Sequence, residues 1–232
     1  MNKKHVFSLA LAVLSIFGFQ SCSNDDDNSG TSFRWSDQSV AGTLASTNSP
    51  DRYSSYIIIF DEEETGKLIT STSEFEGTYE LRNDSLIFNT NDTEKWFFFD
   101  VIDNELISSK YEVRFYNEDG TYNPAAVQYN STFYQSEIPV SNELVGNTYV
   151  GDLYKLFTSG VFEENYNIGF DPTGDYYISG EEDHIHYETY NNIAFRSEIN
   201  GKKEFGVLIN GELVVSALDG NGFSYWGTFE KQ

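Results

Sequence analysis

Two Asn-Gly pairs, Asn200-Gly201 and Asn210-Gly211, stand ten residues apart near the C-terminus. Both central positions of a type I′ hairpin need positive φ, and these dipeptides accept it. The interval between them suits one strand of about eight residues and is too short for a stable helix. Within it Phe205, Val207 and Ile209 alternate with Glu204, Gly206 and Leu208. Asp171-Pro172-Thr173-Gly174 has the Pro and Gly placement of a type I turn, and Asn191-Asn192 and Asp219-Gly220-Asn221-Gly222 mark two further turns. Counting between turns predicts strands at 147–154, 163–170, 174–179, 184–190, 193–199, 203–209, 212–217 and 223–230. None has a helical period.

The alternation predicts how these strands close. Ile193, Phe195 and Ile199, then Phe205, Val207 and Ile209, then Leu213, Val215 and Ala217, then Phe223, Tyr225 and Phe229 are expected on one apolar face. Arg196, Glu198, Glu204, Glu212, Ser216, Ser224 and Glu230 are expected mostly on the other. One buried and one solvated face on strands joined by tight turns makes an antiparallel meander. Eight such strands can close into a barrel and so remove their edges.

The first half repeats the second. Tyr56-x-Ile58-x-Phe60-Asp61 matches Tyr166-x-Ile168-x-Phe170-Asp171, and Thr65-Gly66 matches Thr173-Gly174. Leu86-Ile87-Phe88 answers Ile193-Ala194-Phe195, and Asp103-Asn104-Glu105-Leu106 answers Asn210-Gly211-Glu212-Leu213. Four matches in one order indicate a duplication. The predicted fold is therefore all-β, two consecutive antiparallel meander barrels at 32–138 and 139–232. Lys95-Trp96-Phe97-Phe98-Phe99-Asp100 is apolar on both faces, so cover by loops or by the other domain is expected there. Residues 117–141, with Asp119-Gly120, Pro124 and Pro139, are expected to hold a hairpin and then the linker.

Ahead of the barrels, residues 1–21 read as a signal peptide: a basic start, Lys3-Lys4-His5, then 14 mostly apolar residues from Val6 to Phe19. A spanning helix needs about 20 apolar residues, so this run is too short to remain as an anchor. Phe19-Gln20-Ser21-Cys22 follows, and Cys22 is the one cysteine of the chain. Residues 22–31 hold Asp25-Asp26-Asp27 and no apolar side chain beyond Cys22, which predicts a disordered acidic tether. Asp25-x-Asp27-x-Ser29-Gly30 half-matches a calcium loop, but Ser36 stands where the bidentate glutamate belongs, so the match is rejected.

Phe19-Gln20-Ser21-Cys22 resembles a bacterial lipobox, although Phe19 and Gln20 depart from its usual Leu and small residue. The resemblance implies lipidation of Cys22 (palmitate among the acyl groups) and a membrane held through that anchor. The acidic run behind it is similar to the export signal of lipoproteins displayed on the cell surface, so a surface-exposed outer-membrane location is expected. Leu144-Val145-Gly146 leading to Tyr149, Phe170-Asp171-Pro172-Thr173-Gly174-Asp175-Tyr176, and Tyr79-Glu80-Leu81-Arg82-Asn83-Asp84-Ser85-Leu86-Ile87-Phe88 resemble the lipocalin-like domains of bacterial outer-membrane lipoproteins. Val40-Ala41-Gly42-Thr43-Leu44 lacks the aromatic residue of the opening element. That family implies a calycin-type barrel and brings no catalytic residue.

Charge and residue supply exclude several functions. Of 232 residues 37 are acidic and 14 basic, a net charge of −23 that becomes −25 once the leader's two lysines are removed. Such a field repels nucleic acid and anionic lipid headgroups. One cysteine excludes a disulfide framework. No Gly-x-Ser-x-Gly elbow or glycine-rich phosphate loop occurs, and the mature chain has two histidines, so neither an enzyme nor a cofactor is expected. His184, His186 and Glu188 share a strand face and could in principle hold a metal, but a polar outer face is the expected reading. The 38 aromatic residues fit a packed or ligand-lined barrel, with outward rings such as Trp226 and Tyr176 able to stack on sugars. The expected function is a non-catalytic, lipid-anchored envelope protein capturing a small apolar or sugar ligand in a barrel. The alternative is an acidic module, an inhibitor or assembly subunit, that binds a basic protein.

Overall fold

The computed structural model describes residues 33–232 except Asn48, Thr93, Glu118 and Glu181. The expected signal peptide, Cys22 and the acidic tether lie outside the described residues. A one-turn 3-10 helix at Trp35–Asp37 leads into the first sheet. Its strands are β1 (Gln38–Ser46), β2 (Ser49–Phe60), β3 (Thr65–Thr70), β4 (Glu74–Arg82), β5 (Ser85–Thr90), β6 (Lys95–Ile102), β7 (Glu105–Tyr116), β8 (Tyr122–Ser131) and β9 (Tyr134–Glu137). The second sheet holds β10 (Thr148–Lys155), β11 (Glu163–Phe170), β12 (Tyr176–Ser179), β13 (Glu182–His186), β14 (Glu188–Tyr190), β15 (Ala194–Ile199), β16 (Lys202–Ile209), β17 (Glu212–Leu218) and β18 (Ser224–Lys231).

In the first sheet consecutive strands pair, and β1 pairs with both β2 and β8, which closes an eight-stranded antiparallel barrel. β9 continues β8 along β1 in the same register, with Leu44 opposite Ser131 and Ala41 opposite Tyr134. In the second sheet β10 pairs with both β11 and β18, and the ring is interrupted only between β13 and β14, so the barrel is nearly closed. The strand expected at 184–190 is therefore two short strands separated at Tyr187, while the other seven lie within two residues of expectation.

The residues explain the turns. Asn200 and Gly201 have φ of 51° and 79°, and Asn210 and Gly211 54° and 86°, as the type I′ reading requires. Asp103 and Asn104 take the same conformation at 50° and 68° in the matching turn of the first barrel. The repeat also places Gly42 opposite Tyr56 and Gly151 opposite Tyr166. A Cβ on Gly42 would stand 2.0 Å from the Thr132 carbonyl oxygen, and one on Gly151 2.3 Å from that of Thr228. Each glycine thus lets the first strand of its barrel approach the strand that closes the ring.

Both interiors are filled by side chains, as small barrels allow. Tyr56, Ile58, Phe60, Leu68, Leu86, Phe88, Phe97, Phe99 and Tyr111 are buried in the first. Tyr149, Tyr166, Ile168, Phe170, Tyr177, Phe195, Leu213, Val215 and Phe229 are buried in the second. The expected apolar face of the second barrel needs one correction. Ile199 pairs with Lys202 across the two-residue turn, so Lys202, Glu204, Gly206 and Leu208 share the inward face with Phe195 and Ser197. Phe205 and Val207 consequently point outward, yet both are fully buried, as is Ala194.

What covers them is the first barrel. β2 lies against β16, β17 and β18, and β1 against β16. Ala41, Ile57 and Ile69 belong to the same apolar cluster as Phe205 and Val207. Burying each of the larger ones, Ile57, Ile69, Phe205 and Val207, contributes about 1.5–3 kcal/mol. In the middle of this seam the Ser55 amide donates to Ser216 Oγ at 3.1 Å, and the two hydroxyls meet at 2.9 Å. Ser216 and Glu204, both expected on the solvated face, are therefore a seam residue and an interior residue. On the far side of the first barrel, Trp96 and Phe98 are partly exposed and stack at 6.0 Å. The Arg114 guanidinium lies 4.1 Å from the Trp96 ring, and Lys110 5.9 Å from Phe98. These rings are thus shielded by side chains of the neighbouring strand β7, whose long stems suit that role.

Candidate functional site

A groove of about 980 Å³ runs along one side of the seam. It is formed where β2 enters from the first barrel and β10 and β18 run side by side in the second. Tyr154 and Trp226 are register partners on the outward face, their rings 6.2 Å apart and 14° from parallel. Tyr53 reaches across the seam, its hydroxyl 2.9 Å from Thr228 Oγ1. Burial pushes its phenol above the usual tyrosine range, against the lowering effect of the Thr228 bond. Arg52, Asp152, Lys155 and Glu230 line the same groove. It therefore offers aromatic surface with hydrogen-bonding groups of both signs at its margins.

A second opening, of about 330 Å³, lies beside the strand interruption at Tyr187. Arg196 meets Glu74 across the seam at 2.9 Å and Glu188 of the neighbouring strand β14 at 3.6 Å. The Tyr190 hydroxyl lies 2.6 Å from Glu74 Oε1 and 2.7 Å from Glu188 Oε2. Burial, then these two carboxylates, raises the Tyr190 phenol.

Behind that opening the second barrel holds a buried polar network. Tyr177 donates to Glu204 Oε2 at 2.6 Å, and Ser179 donates to Oε1 at 3.2 Å. Ser197 Oγ lies 2.5 Å from the Tyr177 hydroxyl, and Tyr166 hydroxyl 2.7 Å from Ser179 Oγ. Lys202 Nζ supplies a positive charge 3.6 Å from Glu204 Oε1. Burial first, then the Glu204 carboxylate, pushes both Tyr177 and Tyr166 upward. Such a group persists inside a core only because each of its oxygens is bonded.

The residues singled out in the sequence are dispersed. His184 and His186 flank the Tyr176 ring at 5.6 and 4.3 Å. Glu188 lies beyond the break and pairs with Arg196, so the three do not form a ligand set. No cluster of three metal-ligating side chains occurs among the described residues. Of the two outward aromatics, Trp226 lies in the groove and Tyr176 does not line it. Tyr53 and Tyr154 were missed. Tyr154 shares the outward phase of Asp152, which strand alternation could have revealed, whereas Tyr53 depends on how the barrels pack. Compared with protein-family models and with curated proteins, the chain matches none.

Proposed function

We propose that this protein is a non-catalytic, lipid-anchored binding protein of the outer cell envelope that captures a carbohydrate at the seam of its two barrels. The observation that carries the reading is the groove around Tyr53, Tyr154 and Trp226. Sugars present apolar faces to aromatic rings and hydroxyls to flanking charged groups, and this groove supplies both. Its position at a junction of two folded units is a common one for ligand sites. The packed aromatic interiors favour the outer wall over a barrel mouth. The leader with Cys22, the tether and the resemblance to lipocalin-like lipoproteins support anchoring at the outer membrane, facing outward.

Calorimetric titration of the full chain with linear and branched oligosaccharides tests this. Saturable binding that weakens at least tenfold in Tyr154→Ala is expected; Tyr154 is partly exposed and its removal leaves the core intact. Binding of no oligosaccharide, or equal binding by Tyr154→Ala, refutes it. A second reading, an acidic module that docks a basic protein, is favoured by the net charge of −23 and by the loop after β10, where Phe157 is 80% exposed at φ 69°. It requires association that weakens as salt rises.

A further inference from the structure

The interruption in the second barrel is more than an irregular strand. The ladder between β14 and β15 ends at Glu188 opposite Arg196, and β13 pairs with β12 alone. Residues 197–199 of β15 therefore have no strand partner on that side. In the first barrel the corresponding wall is bridged by a single strand, since β4 pairs with β3 through Glu74–Thr78 and with β5 through Gly77–Arg82, the two ladders overlapping at Gly77 and Thr78. The opening of about 330 Å³ lies at this lateral gap, lined by His186, Glu188, Arg196, Ser197 and Lys203 and, from the first barrel, Ser71. That volume is at the lower end of pockets that hold small molecules.

The hydrogen bonds behind the gap have a fixed direction. The Glu204 carboxylate can only accept, so Tyr177 donates to it, and the Tyr177 oxygen is left to accept from Ser197. Ser197 spends its proton inward and presents lone pairs to the cavity, although the residue is only 6% exposed. Ser71, 7% exposed, has no hydrogen-bond partner for its hydroxyl among the described residues and lines the cavity from the other side. One wall thus provides a directed acceptor and the opposite one an uncommitted hydroxyl.

The charged groups around the cavity are already matched. Arg196 is held by Glu74 and Glu188, and Lys203 lies 3.8 Å from Glu198. A charged ligand would have to divide one of these pairs, while a neutral ligand that both donates and accepts would not. We propose that the lateral gap of the second barrel is a binding site for a small, neutral, hydroxyl-rich molecule of mono- to disaccharide size. It shares no lining residue with the groove at Tyr154 and Trp226, so the two sites stand or fall separately.

The test is calorimetric titration of the full chain with glucose, galactose, N-acetylglucosamine, maltose, lactose and glycerol as probes. Three variants accompany it. Thr72→Trp places a ring over the opening from an exposed turn residue, Ser197→Ala removes the directed acceptor, and Tyr154→Ala alters only the groove. The expected result is saturable binding of at least one probe that persists in Tyr154→Ala, where the groove is disabled, and that in this background is weakened tenfold or more by Thr72→Trp and several-fold by Ser197→Ala. Ser197→Ala keeps the test decisive if Thr72→Trp fails to fold. Binding of no probe, binding insensitive to both Thr72→Trp and Ser197→Ala, or binding abolished by Tyr154→Ala overturns the proposal; the last outcome places the sugar in the groove alone.

Discussion

Replacing Glu204 separates a buried acceptor from a buried charge. In Glu204→Gln the amide oxygen can still accept from Tyr177, and the amide nitrogen can donate to Ser179 Oγ. Only the charge facing Lys202 is lost, and the Lys202 side chain, 23% exposed, retains access to water. A loss of about 1–2 kcal/mol is expected, the scale of a charged hydrogen bond converted to a neutral one. In Glu204→Ala the Tyr177 and Ser179 hydroxyls lose their acceptor inside a closed core, at about 1–3 kcal/mol each, and an empty volume is left. The sum is about 4–5 kcal/mol, within the range for breaking a buried ion pair. At about 2–4 °C per kcal/mol for a folded unit of this size, the alanine variant should melt about 10–15 °C lower and the glutamine variant about 3–6 °C lower. Thermal and denaturant unfolding followed by circular dichroism gives both numbers. Adding Tyr177→Phe to each should expose a coupling energy of about 1–3 kcal/mol with Glu204→Ala. Equal losses in the Gln and Ala variants would mean that charge, not acceptance, holds the network. An alanine variant that melts like the parent protein would refute the network altogether.

Three further perturbations test other parts of the fold. Gly42→Ala drives a methyl against the Thr132 carbonyl, which also accepts from Tyr56 at 2.9 Å, and should destabilise by about 2–3 kcal/mol through strand separation; Gly222→Ala, with φ 82° and open space, should lose only about 1 kcal/mol in the same melts. Burial raises the phenols of Tyr56 and Tyr177 far above the ordinary value of 10.0. Unfolded tyrosines release protons near pH 10 while these two remain protonated, so their contribution is complete below pH 10 and lost as pH rises toward the folded values. The decline is about 1.4 kcal/mol per phenol per pH unit, and a pH–stability curve that stays flat from 10 to 11.5 would contradict it. Phe205→Ala should cost about 3–5 kcal/mol, although barrel geometry puts this ring outside, and a surface-like loss below 1 kcal/mol would show that the barrels do not pack through it.

Local rules carried seven of the eight expected strands in the second half because its punctuation is explicit. Asn-Gly at 200 and 210 admits one turn type, and that turn fixes the strands on either side. The same rule contained the face assignment, since residues flanking a two-residue loop share a face. That places Glu204 inward with Ile199, but the apolar run at Phe205, Val207 and Ile209 outweighed it in the sequence reading. β16 is buried on both sides, by its own barrel within and by β1 and β2 without, so its pattern carries no face information. The interruption at Tyr187 was not legible because neither Gly nor Pro marks it. Inside β13, His184 takes a φ of 54° where the register against β12 shifts, a conformation that its residue type does not announce. The groove was visible only as Trp226, because its other wall comes from residues about 170 positions earlier in the chain.

The two barrels differ where it matters most for function. Counted from their matching turns at Asp103 and Asn210, Phe97 and Glu204 each stand six residues upstream, and both point inward. The first barrel fills that place with an aromatic ring inside an unbroken wall. The second accepts a carboxylate, two serines and two tyrosines there, behind a wall that fails to close beside Ser197. Replacing such a network with apolar side chains of similar volume is often neutral or stabilising, and the first barrel demonstrates that this fold accepts one. Stability therefore does not account for the polar interior of the second barrel. If the network serves the lateral gap, a variant combining Glu204→Phe, Ser179→Ala, Ser197→Ala, Tyr166→Phe and Tyr177→Phe, which leaves none of the network's hydroxyls without a partner, should fold at least as stably as the parent and bind none of the small sugars. Retained binding in that variant would separate the buried carboxylate from the gap and assign it to folding alone.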